Sequence, residues 1–363
     1  MVCVSPVDTR MQSTCARYTS RSKTLQRWRL ADPHFARGLN ATGEEVRNLG
    51  SSLFHRLPNP SPGGPTHIIA GNCGETPPPF FLGKYDAVRE VLDVSGPPQW
   101  IEASRRLPWV DPSNPYLSGK SQLTWAAAGG TMDGSRLLFV GWLRQWLNTP
   151  GVNVFAAGNP LSLVREIVYE ASTNRLLSRP VQEYELLRRA TFLDGAHLGV
   201  LGPASPTKTL PVPVGLGGAL DICLSFDLAA AGRGSLSEFG LAVRAPPSGV
   251  DGAAVVATFN VSAAAAGKGT RSVELVVNGV VSAVLPLLRN ETTVDVRVLV
   301  DRPIVEIFVN GGRGAFVYGD SDFDSEKTSV HVLNVGRANV SVPSASVFGM
   351  GCGWRADAPA PRR

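Results

Sequence analysis

Asp301-Arg-Pro-Ile-Val-Glu-Ile-Phe-Val-Asn-Gly-Gly-Arg313 is the stretch that decides the fold of this chain. Val305-Glu-Ile-Phe-Val309 is a short β-branched and aromatic run, the composition of a strand. It leads directly into Asn310-Gly311, the dipeptide best suited to the two positive φ angles of a two-residue hairpin turn. Val317 and Tyr318 are expected to begin the return strand, and Glu306 to face solvent or a neighbouring domain. The glycines between Val309 and Gly314 lead to a second strand rather than a helix, so they form no phosphate-binding loop.

Similar segments lie on both sides of this hairpin. Asp221-Ile-Cys-Leu-Ser-Phe-Asp227, Ala254 to Val261, Ser272 to Val277 and Val294 to Val300 precede it, and His331 to Val335 and Val340 to Val347 follow. Strands spaced by roughly 8–12 residues, with turns between them, read as a β-sandwich. The sandwich is expected to span 193–350, with 351–363 as a tail. Upstream the runs are shorter: His67 to Ala70, Phe80 to Leu82, Arg136 to Trp142 and Glu166 to Tyr169. Pro58 to Pro65 and Pro77 to Pro79 separate some of them and exclude central strands there. Pro180 to Arg189 reads as a short helix, with Pro early and Arg in the last turn. The chain is therefore expected to be all-β and divided near residue 192.

Composition agrees with many short strands. The 363 residues include 38 glycines and 28 prolines, a large supply of turns. A hydrophobic fraction of 43% supports real cores, and no uncharged run approaches the ~18 apolar residues of a membrane-spanning helix. The net charge is +5 and the isoelectric point about 9.1. The basic clusters Arg21 to Arg29 and Arg362-Arg363 are not interleaved with aromatics, so no nucleic-acid partner is expected. None of the five cysteines (Cys3, Cys15, Cys73, Cys223, Cys352) forms a Cys-x-x-Cys pair, and the histidines lack ligand spacing. Neither a metal nor an organic cofactor is expected. Gly-x-Ser-x-Gly is absent. Met1 to Arg10 has no apolar signal core, yet four glycosylation sequons begin at Asn40, Asn260, Asn290 and Asn339.

Asp301 to Arg313 resembles the Asp-Arg-x-x-Val-Glu-Val-Phe-x-Asn-Gly-Gly hairpin near the end of the β-sandwich in glycoside hydrolase family 32, the invertases, inulinases and related fructosidases. Other segments resemble family elements in the same order. Tyr18 to Trp28 is similar to a Tyr-x-Ser-x-Asp-Leu-x-x-Trp element, and Phe81 to Asp86 to a Tyr-x-x-Gly-x-Tyr-Asp strand. Arg136 to Trp142 resembles an Arg-x-Leu-x-x-Gly-Trp strand. Leu161 to Ile167 resembles Leu-Ser-Leu-Pro-Arg-Glu-Leu, with Val164 in place of the proline, and Pro180 to Arg188 resembles the segment that links propeller to sandwich.

The resemblance implies a partial five-bladed β-propeller over 1–192, with the first blade and most of the second missing, followed by the sandwich. It implies retaining hydrolysis of sucrose or a fructan by two carboxyl groups about 5–5.5 Å apart. The family's nucleophile motif, Trp-x-Asn-Asp-Pro-Asn-Gly, does not occur in these residues, and neither does its Arg-Asp-Pro motif. Ala31-Asp32-Pro33 lacks the arginine and follows Trp28, so it reads as a turn. Aligning Phe54 with the acid/base motif places Leu49 at the glutamate position, and a small shift brings in Glu44 or Glu45 instead. Trp142, Arg165 and Glu166 are the substrate-binding candidates. The chain as given is therefore expected to be an incomplete or inactive β-fructofuranosidase. The alternative is a non-catalytic carbohydrate-binding module or degenerate paralogue, using aromatics such as Trp100, Trp109, Trp125 and Trp146. Secretion or vacuolar targeting would require a signal outside this chain.

Overall fold

The computed structural model describes residues 17–19, 29–32, 36–37, 50–58, 60–72, 80–101, 130–133, 136–141, 161–228, 237–262, 271–302, 304–319 and 326–351. Strands are the dominant element among them, and the helices are short 3-10 turns, in line with the sequence pattern. The chain divides into two compact units, Met1–Arg179 with Gly312–Gly319, and Pro180–Gly311 with Asp320–Arg363.

In the first unit β1 (Arg17–Thr19) pairs with β2 (Arg29–Asp32). A second sheet contains β3 (Ala36–Arg37), β4 (Gly50–Arg56), β5 (His67–Asn72), β6 (Phe80–Asp86) and β7 (Val91–Val94), in the order β3-β7-β6-β5-β4. A third contains β8 (Gly130–Asp133), β9 (Arg136–Phe139), β10 (Arg165–Glu170) and β11 (Arg175–Pro180), in the order β11-β10-β9-β8. Four strands in chain order, each beside the one before it, is the form of a propeller blade. Alternation buries Leu137 and Phe139 of β9 on the face that also carries Ile167 of β10. Phe80 meets Phe139 edge-on, with ring centroids 6.1 Å apart, and joins the cores of the second and third sheets.

The second unit opens with a short 3-10 helix, Gln182–Leu187, inside the span Pro180 to Arg189 where a short helix is expected. Arg188 and Arg189 instead begin β12 (Arg188–Ala196), where the Arg188 side chain is held by Asp221. Next come β13 (Gly199–Leu201), β14 (Thr207–Thr209), β15 (Ala219–Asp227), β16 (Ser237–Ala245), β17 (Val255–Ser262), β18 (Ser272–Val277), β19 (Val280–Pro286), β20 (Thr293–Asp301) and β21 (Ile304–Val309). After the turn at Asn310–Gly312, β22 (Gly314–Gly319) belongs to the first unit. Then β23 (Ser329–Asn334) and β24 (Val340–Met350) complete the second.

One sheet of this unit runs β12-β24-β15-β20-β21, with β13 also on β24, and the other runs β14-β23-β16-β17-β18-β19. Aromatic side chains join them: Phe226 of β15 stacks on Phe239 of β16 at 4.6 Å, and Phe259 of β17 lies 5.8 Å from Phe239. This is the expected sandwich. The deciding turn has the expected conformation, with Asn310 at φ 46° and Gly311 at φ 66°. Gly312 follows at φ 93°, and an added Cβ would lie 2.4 Å from the Ser178 carbonyl oxygen, so only glycine fits. Of the two expected environments for Glu306, burial excludes solvent: the residue is fully buried.

Candidate functional site

The third sheet of the first unit carries the substrate-binding candidates that fall within the described residues. Arg165 opens β10 opposite Phe139 of β9, and Glu166 stands opposite Leu138. Adjacent residues point to opposite faces of a strand, so the two side chains divide. Arg165 takes the apolar face and is fully buried. Glu166 takes the other face and lies between two arginines. Its Oε2 accepts from Nη2 of Arg179 on β11 at 3.1 Å, and its Oε1 lies 3.6 Å from Nε of Arg136 on β9. Glu44, Glu45 and Trp142 lie outside the described residues.

A second carboxylate closes the same sheet. Glu170 ends β10 and takes a two-pronged bond from Arg313, with Nε to Oε2 at 3.0 Å and Nη2 to Oε1 at 2.8 Å. Thr173 donates its hydroxyl to the same carboxylate from the turn that leads to β11. Burial pushes the Glu170 carboxyl up, but the bonds from Arg313 and Thr173, with the charges of Arg313 and Arg175, hold it below its ordinary value. Arg175 is lowered, by burial first and by the charge of Arg313 second. The Arg313 guanidinium is nearly buried, and such a fork matched to a carboxylate positions elements firmly. In the sequence Arg313 stands only as the end of the hairpin motif. Its signal was the arginine directly after the double glycine.

The second unit has one comparable cluster among the described residues. Asp221 of β15 is fully buried, and Arg188 and Arg297 both reach it. Arg188 Nη2 lies 2.7 Å from Oδ2, Arg297 Nη2 lies 2.8 Å from Oδ2, and Arg297 Nε lies 2.9 Å from Oδ1. Glu185 approaches the same two arginines at 3.8 and 3.5 Å, and the Arg188 guanidinium lies 4.1 Å from the centre of the Phe348 ring. Cys223 beside them is a free thiol. Burial, then the Asp221 charge, push it up to about 11, so it is an unreactive neutral group at ordinary pH. Among the described residues no group of three His, Cys, Asp or Glu side chains is placed to hold a metal ion. Among them, too, no helix is long and apolar enough to cross a membrane.

Glu166, Glu170 and Asp221 are thus each engaged by arginines. Residues 203–347 match the family model described as the C-terminal domain of glycosyl hydrolases family 32. That match takes in the Asp301 to Arg313 motif, so the sandwich is similar to this family's C-terminal domain. No curated protein sequence matches it.

Solved structures share the fold at low identity. Fructan 1-exohydrolase IIa from Cichorium intybus superposes with a TM-score of 0.68 at 17% identity, covering 93% of this chain and 67% of its own. Exo-inulinase from Aspergillus awamori gives 0.58 at 18%, covering 93% and 62%. Sucrose-6-phosphate hydrolase from Lactobacillus gasseri gives 0.59 at 13%, covering 93% and 60%. The chicory enzyme has been seen with 1-kestose, and a Bombyx mori β-fructofuranosidase with sucrose. This chain therefore spans about three fifths to two thirds of the length of these enzymes.

Proposed function

We propose that this chain is a β-fructofuranosidase-type glycoside hydrolase that acts on sucrose or a fructan only when its carboxylate pair is completed, and that the 363 residues alone are inactive. The family-model match over 203–347 carries the reading. In it, 1–192 supplies the later blades of a catalytic propeller, 193–350 the sandwich and 351–363 the tail. Retaining hydrolysis needs one carboxylate to attack the anomeric carbon and one carboxylic acid to protonate the leaving oxygen. Glu44 or Glu45 would serve as the acid, and Trp142 and Glu166 would contact the sugar, while Arg165, buried on the other face of β10, would act only by positioning that strand. Glu166, Glu170 and Asp221 are not offered as nucleophile, because each is already engaged by arginines. Two carboxyl groups suffice for this chemistry, so the reading includes no cofactor.

The test is fructose release from sucrose, 1-kestose and inulin by the purified 363-residue chain, with Glu44→Gln and Glu45→Gln beside it. The expected result is no release above the blank from folded protein. Release that one of these variants abolishes would overturn the inactive reading and identify the acid.

A further inference from the structure

Of the three sequons that include described residues throughout, two are placed alike and the third differs. Asn290-Glu-Thr292 lies between β19 and β20, and Asn339-Val-Ser341 lies where the chain passes from β23 into β24. Both connections cross from one sheet of the sandwich to the other. Asn290 and Asn339 are both exposed.

Each asparagine stands on anchored backbone. The turn holding Asn290 is closed by Glu291 N–H to Leu288 O at 3.0 Å and by Leu288 N–H to the Glu291 carboxylate at 2.7 Å. The carbonyl of Thr292 accepts from Leu228 N–H at 2.8 Å. The loop before Asn339 is held from beneath by Asn334, whose Nδ2 donates to Leu201 O and Ala338 O, both at 2.8 Å.

The strand register brings the two together. Asp227 at the end of β15 stands opposite Thr293 of β20 on one side and Ser341 of β24 on the other. Two strand spacings separate those neighbours, about 10 Å. Both sequons therefore emerge at the same end of the sandwich. Asn260 is different. It lies in β17, opposite Glu238 of β16 and Glu274 of β18, and its Oδ1 is buried.

We infer that Asn290 and Asn339 form a paired N-glycan attachment site at one end of the sandwich, and that Asn260 stays unmodified. The substrate is an oligosaccharide carried on a lipid diphosphate. The asparagine Nδ2 attacks the anomeric carbon, a C–N bond forms, the C–O bond to the diphosphate breaks, and the amide loses one proton as the lipid diphosphate leaves. Two bulky, solubilising groups then cover that end of the sandwich. The inference is independent of catalysis.

The test is secretion of the full 363-residue chain behind a cleavable leader from a eukaryotic host. Enzymatic removal of N-glycans in heavy-oxygen water then converts each occupied asparagine to a mass-labelled aspartate. Label at both Asn290 and Asn339, with the Asn260 peptide unlabelled, is the expected result. Thr292→Ala and Ser341→Ala should each remove one glycan while leaving the asparagine in place, which separates loss of the acceptor motif from misfolding. Label at neither position in secreted, folded protein, label at only one of the two, or label at Asn260 would overturn the inference.

Discussion

The two units bury charge in different proportions. In the first, Glu170 is gripped by one arginine, Arg313, through two matched bonds. In the second, one buried aspartate, Asp221, answers two arginines. The Glu170 pair is locally complete, so it acts as a clasp between a sheet turn and the segment after the Asn310-Gly311 turn. The Asp221 cluster is complete only because Glu185 and the Phe348 ring take up part of the surplus positive charge. A single carboxylate therefore holds together Arg188 of β12, its own strand β15 and Arg297 of β20.

The largest expected effect follows from that difference. Asp221→Ala leaves two guanidinium groups without their shared partner. Breaking a buried pair costs about 3–5 kcal/mol, and both arginines still reach water, so a loss of about 3 kcal/mol is expected. Glu170→Ala strands one arginine and should cost roughly 1–3 kcal/mol. Urea unfolding of the full chain, read with hydrogen exchange in β15 and in β10 to β11, checks both. Equal losses would break the comparison.

Sequence showed these two clusters unequally, for a physical reason. Strands are written locally, in alternation and turn residues. The expected run Ser272 to Val277 is β18 as it stands, and Val294 to Val300 lies within β20. The Asn310-Gly311 turn could be read because two adjacent residues specify it. Asn278-Gly279 is the same local signal between β18 and β19, with φ 47° and 80°. Charge clusters are written across distance. Arg188, Asp221 and Arg297 come from three separate strands, and Glu170 and Arg313 are 143 residues apart. No local pattern marks such partners. The same limit applied to Glu166. The sequence marked it as a sugar contact, and only strand register identified Arg136 and Arg179 as its neighbours.

Acid sharpens the comparison at intermediate size, because among the described residues each unit holds a histidine that binds its proton less readily than usual. His331 in the second unit is lowered below the ordinary 6.5 by burial, with the Pro246 carbonyl opposing. Its Nδ1 lies 3.0 Å from the Thr209 hydroxyl. His67 in the first unit is lowered by burial and then by the charge of Arg56. A lowered histidine binds its proton less readily folded than unfolded. Stability is therefore full above the ordinary value and falls as pH drops from 6.5 toward the folded value. Glu170 is also lowered, so its contribution is full above 4.5 and falls only below that. Urea midpoints measured against pH should show the histidine loss first and the carboxylate loss later. His331→Gln should flatten the first step in the second unit and leave the first unit unchanged. A first step that survives both His331→Gln and His67→Gln would refute the assignment.

The smallest effect is expected at Glu166, although the sequence marked it for function. Its two arginine partners keep 28% and 48% of their side chains in water, and such pairs contribute roughly 0–1 kcal/mol. Glu166→Gln keeps the shape of the side chain and removes only its charge. Its cost should be at the low end of that range, and should shrink further in high salt as screening weakens the original pairs. Asp221→Ala should change little with salt, because its carboxylate has no exposed surface. Run at two salt concentrations, the pair of variants separates a surface charge from a buried one by a criterion independent of absolute stability. A loss at Glu166 as large as that at Asp221, and equally indifferent to salt, would mean that β9, β10 and β11 depend on this carboxylate as the sandwich depends on Asp221. It would also remove the case for Glu166 as a group with bonding capacity to spare for a sugar.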